Sequence, residues 1–376
     1  MKIVIAPDSF KESLSAMEVA TCIEKGFKQV FPHADYVKVP MADGGEGTVQ
    51  SLVDATGGRI VTCQVTGPLG QPVEGFYGLL GDGDTAVIEM AAASGLHLVP
   101  PANRNPLITT SFGTGELIQA ALEQNVKRII VGLGGSATND AGLGMLQALG
   151  AQCTDAQGFA LPAGGAALNS LTAIDLSTLD ARLQNTELLV ACDVDNPLCG
   201  THGASAVFGP QKGATAEMVE TLDNALKQFA NVVKSDLNKD ILQLSGGGAA
   251  GGMGAALVGV LNAELQPGVD IVIEALKLDN LVQDADLVIT GEGRIDSQTI
   301  HGKTPIGVAR TAKRYDKKVI AIAGCFTPDY SVVHEHGLDA VFAIVNRSVD
   351  LATALQEAEL NLQQTSRNIA ALLKLA

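Results

Sequence analysis

The chain has 376 residues, a formal net charge of -16, 46% hydrophobic residues, 4% aromatics and no Trp. That length exceeds one ordinary core and points to two domains, with aliphatic, Ala- and Gly-rich interiors. The acidic field disfavours nucleic acid and anionic membrane surfaces as partners, and no run approaches the ~20 apolar residues of a membrane span.

Short apolar runs recur along the chain, each followed by Gly, Asp or Pro and then by helix-period sequence. Lys2 to Ala6 is the first, and a helical stretch follows from about Ser15 to Phe31. Tyr36 to Pro40, Arg128 to Val131, Glu187 to Ala191, Asp286 to Thr290, Lys318 to Ala323 and Ala340 to Val345 repeat the pattern. Strands alternating with helices predict an α/β fold with largely parallel sheets. Runs that are short, Val/Ile-rich and without polar alternation suit strands buried on both faces.

The stretch from about Arg59 to Met90 is different. Ile60 to Val65, Val73 to Leu80 and Thr85 to Glu89 are separated by turn signals, with no room for helices, which predicts an antiparallel meander and a mixed sheet. We expect a second domain, residues 63–284, inserted into a first made of residues 1–62 and 285–376. Six cysteines without a C-x-x-C pair read as reduced thiols. Because Met1 to Ala6 leads straight into a strand pattern, a cytoplasmic protein is expected.

Loops at the carboxyl ends of parallel strands are where such folds bind ligands. After the first strand come Asp8, Ser9 and Lys11. A cation near a helix start is disfavoured by the helix dipole, so Lys11 either serves a ligand anion or is a solvated loop charge. After the second strand, Asp43-Gly44-Gly45-Glu46-Gly47 either holds Mg2+ through Asp43 and Glu46 or merely caps the following helix. Gly132 to Gly142 could cradle phosphates through backbone N–H groups and the Ser136 and Thr138 hydroxyls. It also satisfies a loose dinucleotide fingerprint, but the acidic residue such a fold needs falls in a turn at Asp155. Ser245 to Gly254 is another lone glycine match, equally explained by close helix packing. Gly291 to Thr304 gathers Glu292, Arg294, Asp296 and Lys303 beside a strand end. Its Gly302-Lys303-Thr304 is not a P-loop, because the first required glycine falls on Ser297. Asp193 or Asp195 could act as a base or metal ligand, and Lys212 could contact a phosphate.

Taken in this order, Ala6 to Ser15, Pro40 to Thr48, Gly134 to Gly142, Asp193 to Leu198, Gly209 to Ala214 and Gly291 to Thr304 resemble the bacterial glycerate kinase family, along nearly the whole chain. Ala141 departs from the pattern, where a second glycine is expected. The resemblance implies a Rossmann- or flavodoxin-like parallel-sheet domain, a mixed-sheet α/β domain and an active-site cleft between them. It implies ATP, Mg2+ and D-glycerate as ligands, with 2-phosphoglycerate rather than 3-phosphoglycerate as product. It carries no settled catalytic roles, so those follow from chemistry. Gly134, Gly135, Ser136 and Thr138, with Gly291, Gly293 and Lys303, are expected to hold the nucleotide phosphates. Asp43, Glu46 or Asp296 would hold the metal. Lys11, Arg294 or Lys303 would face the substrate carboxylate or the transferring phosphoryl. Asp193 is the first choice to accept the hydroxyl proton and Asp8 the second. A nicotinamide-dependent hydroxy-acid dehydrogenase and a non-catalytic acid sensor are the alternatives, and the oligomeric state is left open, a homo-oligomer included.

Overall fold

The computed structural model describes residues 1–375, which divide into two compact units. The first comprises residues 1–43, 50–57 and 267–375, and the second residues 44–49 and 58–266.

The first unit is built on a five-stranded parallel sheet in the order Ala340–Ala343, Val319–Ala323, Leu287–Thr290, Lys2–Ile5, Asp35–Lys38. Its central strands are almost wholly apolar and buried, as the sequence led one to expect. Ile3, Ile5, Leu287, Ile289, Ile320 and Ile322 pack against Ile23, Phe27, Leu362 and Ile369. The helix Ala16–Lys28 starts at a capping box, in which Ser15 and Glu18 satisfy each other's backbone N–H groups. That helix lies close against the helix Ala358–Leu375, and Gly26 permits the approach. A Cβ at Gly26 would sit 2.5 Å from the Gln363 carbonyl and 2.6 Å from Ser366 Cβ. The second strand in sequence flanks the first on one side, and the three later strands flank it on the other. The order therefore reverses between Lys2–Ile5 and Leu287–Thr290. At such a switch point the following loops diverge and leave a crevice beyond the strand ends.

The second unit carries a six-stranded mixed sheet in the order Glu264–Gln266, Glu187–Ala191, Arg128–Gly132, Thr85–Glu89, Pro72–Leu79, Arg59–Thr66. The last three strands form the expected antiparallel meander, and the other pairings are parallel. Glu264–Gln266 was not legible in the sequence, because three residues with polar ends carry no strand period, and neither was the two-stranded antiparallel sheet of Gln152–Thr154 with Ala173–Asp175. The domain boundaries expected from the sequence also differ from the observed division. The first unit resumes at Pro267, not near Asp284. The helix Gly268–Ala275 packs on Thr304–Lys313, where Val269 meets Gly307 and Arg310 pairs with Asp270, and Arg314 just beyond that helix pairs with Asp279 of the next helix, Leu278–Val282. Among the described residues no helix is long and apolar enough to cross a membrane.

Candidate active site

The crevice at the switch point of the first unit is a cavity of about 490 Å3. Its charged end is lined by Asp8, Lys11, Asp43, Glu292, Arg294 and Lys303, with Asp296 beside them. The loops after Lys2–Ile5 and Leu287–Thr290 supply most of these groups. They are stitched together where the Asp8 N–H donates to the Gly291 carbonyl at 2.8 Å.

Asp8 is held in one orientation. The Ser9 N–H donates to Oδ1 at 2.7 Å and the Thr304 hydroxyl to Oδ2 at 2.7 Å. Burial, with the neighbouring Asp43 charge adding to it, pushes the Asp8 carboxyl up to about 6 despite those two donors. Glu292 accepts from the Thr299 hydroxyl at 2.7 Å, and Lys303 Nζ lies 3.7 Å from its carboxylate. Burial dominates there too and pushes Glu292 up to about 7, with the Asp8 and Asp296 charges contributing. Two carboxyls whose ionised forms are this poorly compensated make a site that favours a bound cation.

Asp296 differs. Burial works against its charge, but Arg294 donates to it from Nε at 3.0 Å and Nη2 at 2.8 Å, Lys303 stands 3.8 Å away, and the carboxyl is held below its ordinary value. It also caps the turn Ser297–Ile300 through the Gln298 N–H. Asp296 is thus already engaged by its own neighbours, and Glu46 lies exposed in the second unit. Among the described residues no group of three or more His, Cys, Asp or Glu is placed to hold a metal. Mg2+ bound with nucleotide phosphates needs only one or two protein carboxylates, and Asp8, Asp43 and Glu292 fit that demand.

Lys303 stands at the N-cap of the ten-residue helix Thr304–Lys313, whose first-turn N–H groups favour an anion. Lys11 is exposed on the turn after Phe10. The two glycines after Leu287–Thr290 play different parts. A Cβ on Gly291 would lie 1.9 Å from the Ile322 carbonyl, so its reason is packing between adjacent strands. At Gly293 the nearest atom would be 3.5 Å away, on Phe10, so its bareness leaves room for a ligand.

The other expected site residues belong to the second unit. Asp193 is exposed just after Glu187–Ala191. In the glycine loop after Arg128–Gly132, Gly134 has room for a Cβ and Gly135 takes a left-handed φ of 74°. Ser136 and Thr138 face inward, however. The Ser136 hydroxyl and the Thr138 carbonyl accept from Lys212 Nζ at 2.8 and 2.6 Å. Lys212 is 2% exposed, and burial drives its ammonium down to about 7 against the pull of Asp140. Asp140, wholly buried, accepts from the Ser111 N–H and hydroxyl at 2.9 and 2.8 Å and from the Gly142 N–H at 3.1 Å. It anchors the loop. Ala141, the departure from the family pattern, adopts φ 50°, a conformation glycine takes without strain. The sequence reading had not singled out Glu89, whose carboxylate accepts the Val49 N–H at 2.9 Å at the start of the helix Thr48–Thr56. The signal available was an acid ending an otherwise buried apolar strand.

The chain matches the model of the glycerate kinase family over residues 3–374. It is 62% identical to the glycerate kinase of Haemophilus influenzae, over 99% of both chains. It is 58% identical to the glycerate 2-kinase of Escherichia coli, over 99% of this chain and 98% of that one. A solved structure from Salmonella typhimurium LT2 superposes with a TM-score of 0.93 at 61% identity, covering 100% of this chain and 98% of the other. With the switch-point crevice and its paired carboxyls, these matches settle the lineage: the chain belongs to the glycerate kinase family.

Proposed function

We propose that the chain transfers the γ-phosphoryl of ATP to the 2-hydroxyl of D-glycerate, giving 2-phosphoglycerate, and that the chemistry is carried by the crevice of the first unit. The observation that carries this reading is a pair of partly buried, poorly compensated carboxyls, Asp8 and Glu292, lining one cavity with Lys11, Arg294 and Lys303 at the switch point. Phosphoryl transfer asks for positioning and charge neutralisation more than covalent chemistry, and this constellation offers both. Asp8 accepts the substrate's hydroxyl proton; with its carboxyl near 6 it is ionised at neutral pH yet basic enough to share a proton. Lys11 and Arg294 face the glycerate carboxylate or the transferring phosphoryl, and Lys303 with the N-terminus of Thr304–Lys313 takes phosphate oxygens. Mg2+, when bound, would neutralise charge on the phosphates, and Asp43 with Glu292 would hold it.

The glycine loop Gly134–Thr138 is the second unit's candidate for backbone contacts to phosphate, supported by the left-handed Gly135 and the room at Gly134. Asp193 is the rival base. Steady-state turnover with ATP, Mg2+ and D-glycerate decides between the two. Asp8→Asn should cut kcat by about 100-fold or more, with Asp193→Asn milder. The reverse ranking moves the base to Asp193, and near-normal turnover in Asp8→Asn removes Asp8 from the chemistry.

A further inference from the structure

The cavity is too large for its charged end. A three-carbon acid occupies a small fraction of about 490 Å3, a volume typical of sites for much larger ligands. The remainder is a lobe of a different character. Its wall is formed where the strand Ala340–Ala343 runs out into Ile344 and Val345, and by Leu351, Ala354 and Leu355 of the short helix Leu351–Gln356. Every one of these side chains is apolar. Leu351 is 71% exposed and Val345 40% exposed, so apolar surface stands open at the mouth of a polar site, an arrangement that pays only when something covers it.

The lobe is also built rather than incidental. Asp350 caps its helix by accepting the Thr353 N–H at 2.8 Å, and Arg347 holds Glu357 at 2.6 Å. The Ser13 hydroxyl donates to the Leu355 carbonyl at 2.9 Å, tying the apolar wall to the loop that carries Asp8 and Lys11. One end of the cavity therefore presents cations and carboxyls, and the other, fixed to it, presents an aliphatic surface.

Resting on the proposed kinase reading, we infer that the nucleoside half of ATP lies in this lobe, its base against Ile344, Val345, Leu351 and Leu355, with the phosphates running toward Lys11, Arg294 and Lys303. A flat aromatic base with a polyanionic tail matches that division of surface; glycerate, polar at every carbon, does not. Glycerate is then left the Asp8 end.

Two variants test the assignment. Ala354→Trp fills the lobe, and Leu351→Glu removes apolar surface at a side chain so exposed that folding is not at stake. Both should raise the KM for ATP, Ala354→Trp by at least about tenfold, while the KM for D-glycerate stays within about twofold. A raised KM for glycerate with that for ATP unchanged, or no change in either, overturns the inference. Calorimetric titration with ADP separates this claim from the kinase reading, because it needs no turnover. If the wild type binds ADP without phosphorylating glycerate, the kinase reading fails, and loss of ADP affinity in the variants still upholds the lobe. If the wild type turns over and both variants keep their ADP affinity, the lobe assignment alone is wrong. A wild type that does not bind ADP refutes it as well.

Discussion

Replacing Glu292 by Gln should make the ligand-free protein more stable at alkaline pH. The side chain is 12% exposed, and its carboxyl stands at about 7 against an ordinary 4.5. Between those values the folded chain holds a proton that the unfolded chain has released, so stability falls as pH rises through that window. The full interval of 2.5 pH units, at 1.36 kcal/mol each, corresponds to about 3 kcal/mol at pH 8 and to about 1 kcal/mol at pH 5. Gln keeps an acceptor for the Thr299 hydroxyl and carries no charge, so the variant should recover most of that cost at pH 8 and little of it at pH 5. Urea denaturation followed by circular dichroism, without ATP, Mg2+ or glycerate, reads the difference. With two compact units the quantity to follow is whichever transition moves, not one global midpoint. Catalysis should fall in the same variant, as expected where a strained site is kept for function. A variant no more stable than wild type at pH 8, or a gain of equal size at both pH values, would refute the reasoning.

The wild-type kcat/KM should rise with pH through a limb near 6 as Asp8 ionises, and the pH profile of Asp8→Asn should lack that limb; a profile that falls with pH over this range contradicts the base assignment. Lys212, held near 7 against an ordinary 10.5, gives the opposite sign. The unfolded chain binds the extra proton, so wild-type stability should gain about 2 kcal/mol on Lys212→Met between pH 7 and pH 9, measured by urea denaturation, whereas parallel curves would show that the buried amine is not the cause. Gly291→Ala forces a Cβ to within 1.9 Å of the Ile322 carbonyl, a backbone atom that cannot step aside. Its thermal midpoint should fall by an amount equivalent to about 2 kcal/mol or more, and an unchanged midpoint would remove the packing role given to this glycine.

Much of the fold was legible because its strands are unambiguous. Runs such as Val319–Ala323 and Leu287–Thr290 are short, apolar and closed by glycine, which only buried parallel strands explain economically. The charged half of the crevice was legible for the same reason, since Asp8, Lys11, Glu292 and Arg294 sit immediately after strand ends. What stayed hidden depends on contacts between distant residues. The resumption of the first unit at Pro267 rests on Val269 meeting Gly307, which no local period reports. Ser136 reads as a phosphate ligand until Lys212, far along the chain, is found bonded to it. Gly291 and Gly293 look alike in sequence, and only the neighbouring strand distinguishes packing from ligand room. The apolar wall stayed hidden too: Ile344 and Val345 read as the end of a strand, and hydrophobicity alone does not tell a side chain facing a cavity, such as Leu351 or Leu355, from one facing a sheet.

Phosphorus NMR of the products formed from ATP, Mg2+ and D-glycerate tests the central claim most directly. The account predicts ADP and 2-phosphoglycerate in equal amounts, with product formation lost in Asp8→Asn. A 3-phosphoglycerate signal, inorganic phosphate in place of a phosphoglycerate, or an unconsumed ATP spectrum would contradict it.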